Sequence, residues 1–233
     1  PHVVLGIVAI FMYVGGEVAV GSAIINFVGQ PHIAGLSELE ASKYVSLYWG
    51  GMLIGRFMGA VELSDLSRRR KQMLLAALPV AAFLGLWALR GWAVVQSYAP
   101  FLALCWALFQ VGRSLAHRTL AIFCLTVVAL LATAVLAQGQ TAMWCVVAVG
   151  LFTSIGWSNT FALAIEGVGI HKSQASSLLV MAILGGAVLP PLQGRMADVW
   201  NLQVSFLVPL VAYAYVAFYG LIGYRVGRSK AEA

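Results

Sequence analysis

Eight long apolar stretches follow one another along the chain, at about residues 3–28, 42–64, 71–90, 92–112, 117–137, 141–165, 173–193 and 202–224. Each is long enough to cross a bilayer core as an α-helix, which takes about 20 residues. Each is also about twice the length of a barrel strand, and none alternates with period two. Because lipid offers no partner to a backbone N–H or C=O, a spanning segment must satisfy both internally, which selects the helix. With 61% apolar and 9% charged residues, against about 45–50% and about 25% in soluble domains, a soluble enzyme, a disordered segment and a disulfide scaffold are excluded. The expected fold is all-α, a polytopic helical membrane protein of about eight spans in one transmembrane domain over residues 1–233.

The polar loops give the spans a direction. If the first helix starts in the cytoplasm, ten basic residues fall inside: Arg68, Arg69, Arg70, Lys71, Arg113, Arg118, Lys172, Arg225, Arg228 and Lys230. Three, Lys43, Arg90 and Arg195, fall outside. The positive-inside rule then puts both ends in the cytoplasm. The same residues form no stripe with interleaved polar and aromatic groups, so no nucleic-acid partner is expected. Cys105, Cys124 and Cys145 lie within apolar runs and read as small buried hydrophobes. The chain opens on Pro1 and His2 with no visible secretory signal, and is expected to be a piece of a longer one. Tyr44, Tyr48, Trp49, Trp92, Trp144 and Trp200 gather near span ends, either as an interfacial belt or as core packing.

Polar groups inside the apolar runs carry the functional information. Glu17 comes fourteen residues after the run begins near Val3, about 21 Å along a helix and near the bilayer middle. Two readings fit: a carboxyl facing a wet pathway, or one held by hydrogen bonds between helices. Tyr13 and Gly21 lie one turn to either side on its helix face, and Gly15 and Gly16 flank it, a surface expected to leave room for a ligand. Ser22 and Asn26 form a second polar pair at the same spacing. In the second run Gly51, Gly55 and Gly59 strip one face for close helix packing. Arg56 lies about two turns inside the membrane on that helix and is expected to pair with an acid or a helix end, ahead of Glu62, Asp65 and the Arg68 to Lys71 cluster.

Gly55-Arg56-Phe57-Met58-Gly59 with Asp65 and the basic cluster resembles a variant of the loop signature of the major facilitator superfamily. Three further stretches sharpen the likeness: Tyr13 to Val18, Phe161 to Gly167, and Gln174 through Gly185-Gly186 and Pro190 to Gly194. Together they resemble the fucose, galactose and glucose proton symporter family. The likeness implies the C-terminal half of a twelve-helix transporter, whose partner is the missing N-terminal half and whose sugar site lies near the membrane midplane. Half a transporter is not expected to transport. By this comparison Tyr13, Glu17, Asn26, Asn159, Thr160 and Gln174 would form the sugar site, and Gly55, Arg56, Gly59 and Asp65 the inner gate. The implied function is proton-coupled transport of a hexose or deoxyhexose across the bacterial inner membrane, in contact with membrane lipid and with no cofactor. Glu17 is then sugar ligand, proton site or both, and Glu166 a gate or loop anchor.

Two departures from the family pattern matter. Residues 71–116 read as an inserted two-helix hairpin around Arg90-Gly91-Trp92, and an even number of spans preserves topology. The stretch Thr153 to Ser158 lacks the Asn and Pro usual at its ends, which puts the local kink in doubt. Trp157 either stacks on a sugar ring or fills space left by Gly156; Gly185-Gly186 and Pro190-Pro191 either permit a gating bend or set a static kink. A neutral polyol needs several hydrogen-bonding groups in a mostly apolar cleft and an aromatic face, which Trp157 and Phe161 could supply. A membrane enzyme lacks support, since no His-Glu-x-x-His, Gly-x-Ser-x-Gly or paired intramembrane aspartate occurs. His32, His117 and His171 share no metal-ligand spacing. A non-transporting helical assembly or sensor subunit stays open as the alternative.

Overall fold

A computed structural model describes residues 1–227, so Arg228 and Lys230 of the expected inside set lie outside the described residues. Among these residues there are helices and short connections and no strand. The helices are α1 (His2–Val28), α2 (Glu38–Leu63), α3 (Arg68–Arg90), α4 (Trp92–Gly112), α5 (Ala116–Leu136), α6 (Gly139–Thr153), α7 (Gly156–Ile165), α8 (Lys172–Met181), α9 (Gly185–Val199), α10 (Leu202–Ser205) and α11 (Leu207–Leu221). Seven stretches, with α6–α7, α8–α9 and α10–α11 each counted as one, are long and apolar enough to cross a membrane. The helix α2 is long enough but carries Glu38, Glu40, Lys43, Arg56 and Glu62.

Local chemistry sets the boundaries. Ser37 caps α2 by accepting the Glu40 N–H at 3.4 Å, while the Glu40 carboxylate accepts the Ser37 N–H at 3.3 Å. Gly91 joins α3 to α4 at φ +80 and ψ 174, a conformation closed to residues with a Cβ.

Three of the eight apolar runs are interrupted helices. At Ser154 and Ile155 the run 141–165 breaks without a proline; Thr153, Ser154 and Ser158 each turn a hydroxyl back onto the carbonyl three residues earlier. Such back-bonding competes with the helical ladder and bends it. Between α8 and α9 the turn tightens to 3-10 geometry over Ala182–Leu184. Pro190 and Pro191 lie inside α9 and deprive Gly186 and Ala187 of their helical donors. Between α10 and α11 the break at Phe206 precedes Pro209, whose ring excludes the carbonyl of Ser205 from an ordinary ladder.

The helix α1 is central, packed on α2, α7, α9 and α11, while α5 packs on α6, α7 and α11. The bundle therefore comprises α1, α2, α5, α6–α7, α8–α9 and α10–α11. Of α6, every residue from Ala142 to Thr153 is buried, whereas α3 buries Leu75 alone. The α3–α4 hairpin lies outside the bundle against α2, α5 and α6.

Since lipid is as apolar as the side chains, close approach and hydrogen bonds hold such helices together. The Gly51, Gly55 and Gly59 face of α2 meets Leu151, Ser154 and Ile155, as the sequence pattern requires. Two connections tie loops at one end of the bundle: the Gly139 N–H donates to the His32 carbonyl at 3.0 Å, and Arg90 Nη2 to the Lys43 carbonyl at 3.4 Å.

Candidate functional site

Glu17 projects from the middle of α1 and Arg56 from the C-terminal half of α2. Arg56 Nη2 lies 3.6 Å from Glu17 Oε1, the one carboxylate–cation pair among the described residues. The acid is 12% exposed and the arginine 54% exposed, so the pair straddles the edge between packed interior and open face. Glu17 Oε2 is buried without a hydrogen-bond partner. Arg56 Nη2 also approaches Met52 Sδ at 3.1 Å.

Two tyrosines brace the helices around this pair. Tyr13 OH donates to the Thr153 carbonyl at 2.9 Å, close to the α6–α7 break, where helical donors are interrupted. Tyr48 OH donates to the Glu17 carbonyl at 2.9 Å, tying α2 to α1 at the acid itself. Both phenols are buried. A recess of about 410 Å³ opens beside Arg56, bounded by Gly59, Ala60, Ser154, Trp157 and Ser158. This size falls in the range of small-molecule pockets, about 300–1,000 Å³.

The remaining sequence-derived site residues are not all gathered here. Asn159 is buried, and its Nδ2 donates to the Ala116 carbonyl at 3.2 Å, so it anchors α7 to the start of α5. Thr160 is fully buried, with Oγ1 unpartnered. Gln174 is exposed at the start of α8, 3.3 Å from His171 Nδ1. Asn26 is exposed more than two turns beyond Glu17. Gly15 and Gly16 leave no vacancy for a ligand: their free faces are filled by the Leu189 side chain and the Tyr213 ring. The Tyr13 ring, and not Trp157, covers Gly156. Trp157 lines the recess and stacks on Phe161 with centroids 6.3 Å apart.

Asp65 is exposed and makes no ion pair among the described residues, whereas Gly55, Arg56 and Gly59 lie along the α2–α6 seam and the recess. A latch unforeseen from sequence holds the C-terminal end of α2. Glu62 Oε1 accepts the Ser114 N–H at 2.6 Å and the Ser114 hydroxyl at 3.0 Å. Ser114 and Arg113 both have positive φ, 57 and 54, and this contact stabilises that turn. The available sequence signal was an acid placed one turn past Gly59 on a membrane helix. Among the described residues no group of three or more metal-ligating side chains occurs.

Comparison with known proteins places this geometry in context. The chain is 36% identical over 222 residues, 95% of its length and 42% of the relative's, to the glucose/galactose transporter of Brucella abortus. It is 31% identical over 229 residues, 96% of its length and 44% of the relative's, to the putative glucose/galactose transporter of Helicobacter pylori strain J99. Its fold matches the crystal structure of the Escherichia coli fucose:proton symporter FucP with a TM-score of 0.70 at 22% identity, over 96% of this chain and 43% of that one. A second structure of FucP, a Major Facilitator Superfamily transporter in the outward conformation, matches with the same TM-score of 0.70 at 22% identity. The chain has the major facilitator fold. No family model matches it, and the likeness rests on these relatives and on the fold.

The chain spans less than half the length of the curated relatives it matches. Those relatives carry the names of transporters and not of enzymes. The all-α, multi-pass architecture expected from the apolar runs is the one observed.

Proposed function

We propose that this chain forms the C-terminal half of a proton-coupled hexose transporter that works by alternating access, with both described ends of the bundle facing the cytoplasm of a bacterial inner membrane. The names of the relatives support the substrate class, glucose, galactose or fucose. The basic residues at one end of the bundle support the orientation. The observation that carries the reading is the Glu17–Arg56 pair, set deep in the apolar span beside an open recess.

The pair can act in two ways. Its carboxylate and guanidinium present an acceptor and donors to sugar hydroxyls, and Trp157 presents an aromatic face at the recess. A proton delivered to Glu17 would also neutralise the carboxylate that holds Arg56, loosening α1 from α2 and freeing the arginine. Coupling needs such a link, because a ligand shifts a two-state equilibrium only through differential affinity for the two states. Asn26 belongs to the outer mouth and Gln174 to the inner one in this reading. Asn159 and Thr160 reach a sugar only if α7 rotates at the Ser154–Ile155 break. Residues 71–116 form an insertion relative to the family, accommodated outside the bundle.

The test is uptake of labelled glucose, galactose and fucose into vesicles containing the full-length protein, with and without a pH gradient. Glu17→Gln is expected to insert normally and to lose pH-driven accumulation. Uptake and pH dependence equal to wild type in that variant would remove Glu17 from the mechanism.

A further inference from the structure

The α3–α4 hairpin forms two hollows that the proposed transport does not use. One, of about 630 Å³, lies at the basic end between the hairpin and the end of α2. Arg68 and Lys71 of α3, Gln110 of α4, and Arg113 line it together with Glu62. The carboxylate of Glu62 is already engaged by Ser114, and Lys71 Nζ donates to the Glu62 main-chain carbonyl at 2.9 Å. Arg68 and Arg113 are exposed and have no carboxylate partner among the described residues. Gln110 Nε2 is buried without a hydrogen-bond partner. Three cations and an unpartnered amide donor thus converge on one hollow against a single acid that is already occupied.

The second hollow, of about 300 Å³, is apolar and is formed by the same two helices, from Ala76, Pro79 and Phe83 on one side and Ala99, Ala103 and Trp106 on the other. Arg68, Gln72, Ala76, Pro79 and Phe83 fall on successive turns of one α3 stripe, and Phe109, Trp106 and Leu102 on one stripe of α4, with Arg113 just past its end. The two hollows are therefore offset along one inter-helix groove by roughly 10 Å, the rise of about seven helical residues. Cationic at the membrane surface and apolar toward its middle, the groove has the polarity of a phospholipid.

We infer that the α3–α4 hairpin binds an anionic phospholipid, with its phosphate at Arg68, Lys71 and Arg113 and one acyl chain along the apolar groove. Loop cations that serve only to orient the chain need no pocket, and Arg69 and Arg70 in the same cluster do not line this one. A free phosphate ion would use the cationic hollow alone; the apolar continuation selects a lipid. Clustered basic residues at a membrane surface recognise anionic headgroups by this chemistry.

The full-length protein, purified in detergent, is titrated with phosphatidylglycerol or phosphatidylcholine and bound lipid is counted by native mass spectrometry. Phosphatidylglycerol is expected to be retained in preference. The Arg68→Gln/Arg113→Gln variant is expected to bind it about tenfold more weakly, while Arg69→Gln/Arg70→Gln binds as wild type. Ala103→Trp, at an exposed position in the apolar part, should also weaken it, and excess inorganic phosphate should not displace it. Equal loss in the two arginine pairs, undiminished binding in Arg68→Gln/Arg113→Gln or Ala103→Trp, equal retention of phosphatidylcholine, or displacement by phosphate overturns the proposal.

Discussion

An acid in the middle of a membrane helix is tolerated when something nearby compensates its charge, and Glu17 has Arg56 for that purpose. The arginine is 54% exposed and lines the open recess, and with water in that recess screening the pair, Arg56→Gln is expected to cost about 1 kcal/mol or less in stability. Its effect on uptake should be the larger one, since under the proposed function the substitution leaves Glu17 without its cation in the carboxylate state that sugar and proton would both meet. Thermal unfolding of Arg56→Gln alongside transport by the same variant separates the two. A large loss of stability would make the pair a packing element first. Both members were legible in sequence as charges within apolar runs. That they meet was not, because a charge on α2 finds its partner through the rotation of one helix against another. The same limit governs Asn159: the resemblance implies a sugar contact, but which way a buried amide on α7 faces depends on the break at Ser154 and Ile155, and it faces the Ala116 carbonyl.

At the scale of elements, the seam between α2 and α6 depends on the absence of side chains. A Cβ at Gly55 would meet Ser154 Oγ and the Leu151 carbonyl at 2.7 Å, whereas a Cβ at Gly50 meets nothing within 4 Å. Gly55→Ala is therefore expected to destabilise the protein by about 1–3 kcal/mol, the range for overpacking a filled site. Gly50→Ala should be neutral or stabilise by roughly 0.5–1 kcal/mol through the helix backbone. The buried thiols of Cys105, Cys124 and Cys145 supply the readout, because a thiol-reactive dye labels them as the bundle opens on heating. Equal midpoints for the two variants would mean that α2 and α6 stand further apart. The glycine stripe was legible because its four-residue period survives in any straight helix. The interruptions at Ser154 and Phe206 were not, since hydroxyl back-bonding and a proline three residues further on weaken a helix without dictating where it yields.

For the whole molecule, alternation of the spans fixes which loops share a side. Arg90 contacts the Lys43 carbonyl, so the hairpin tip lies at the end occupied by the start of α2, and Gly139 joins that end through His32. Arg68 to Lys71, Arg113, Arg118, Lys172 and Arg225 lie at or beside helix ends on the opposite side. An added pair of helices leaves this division intact, which is why a hairpin can be inserted without inverting any later span, and why the charge bias along the sequence could be read before the fold was known. A cysteine at Gly91 is expected to react with an impermeant maleimide from the external face of intact cells, while the three native thiols, all buried, stay unlabelled. A cysteine at Ser67, just ahead of the basic cluster, should react only after the membrane is opened. Labelling of the Gly91 position from the cytoplasmic side alone would contradict both the orientation and the two-span reading of the hairpin. If both positions are external, α3 does not cross, and the groove proposed for a phospholipid would lie flat on the membrane surface instead of running into it.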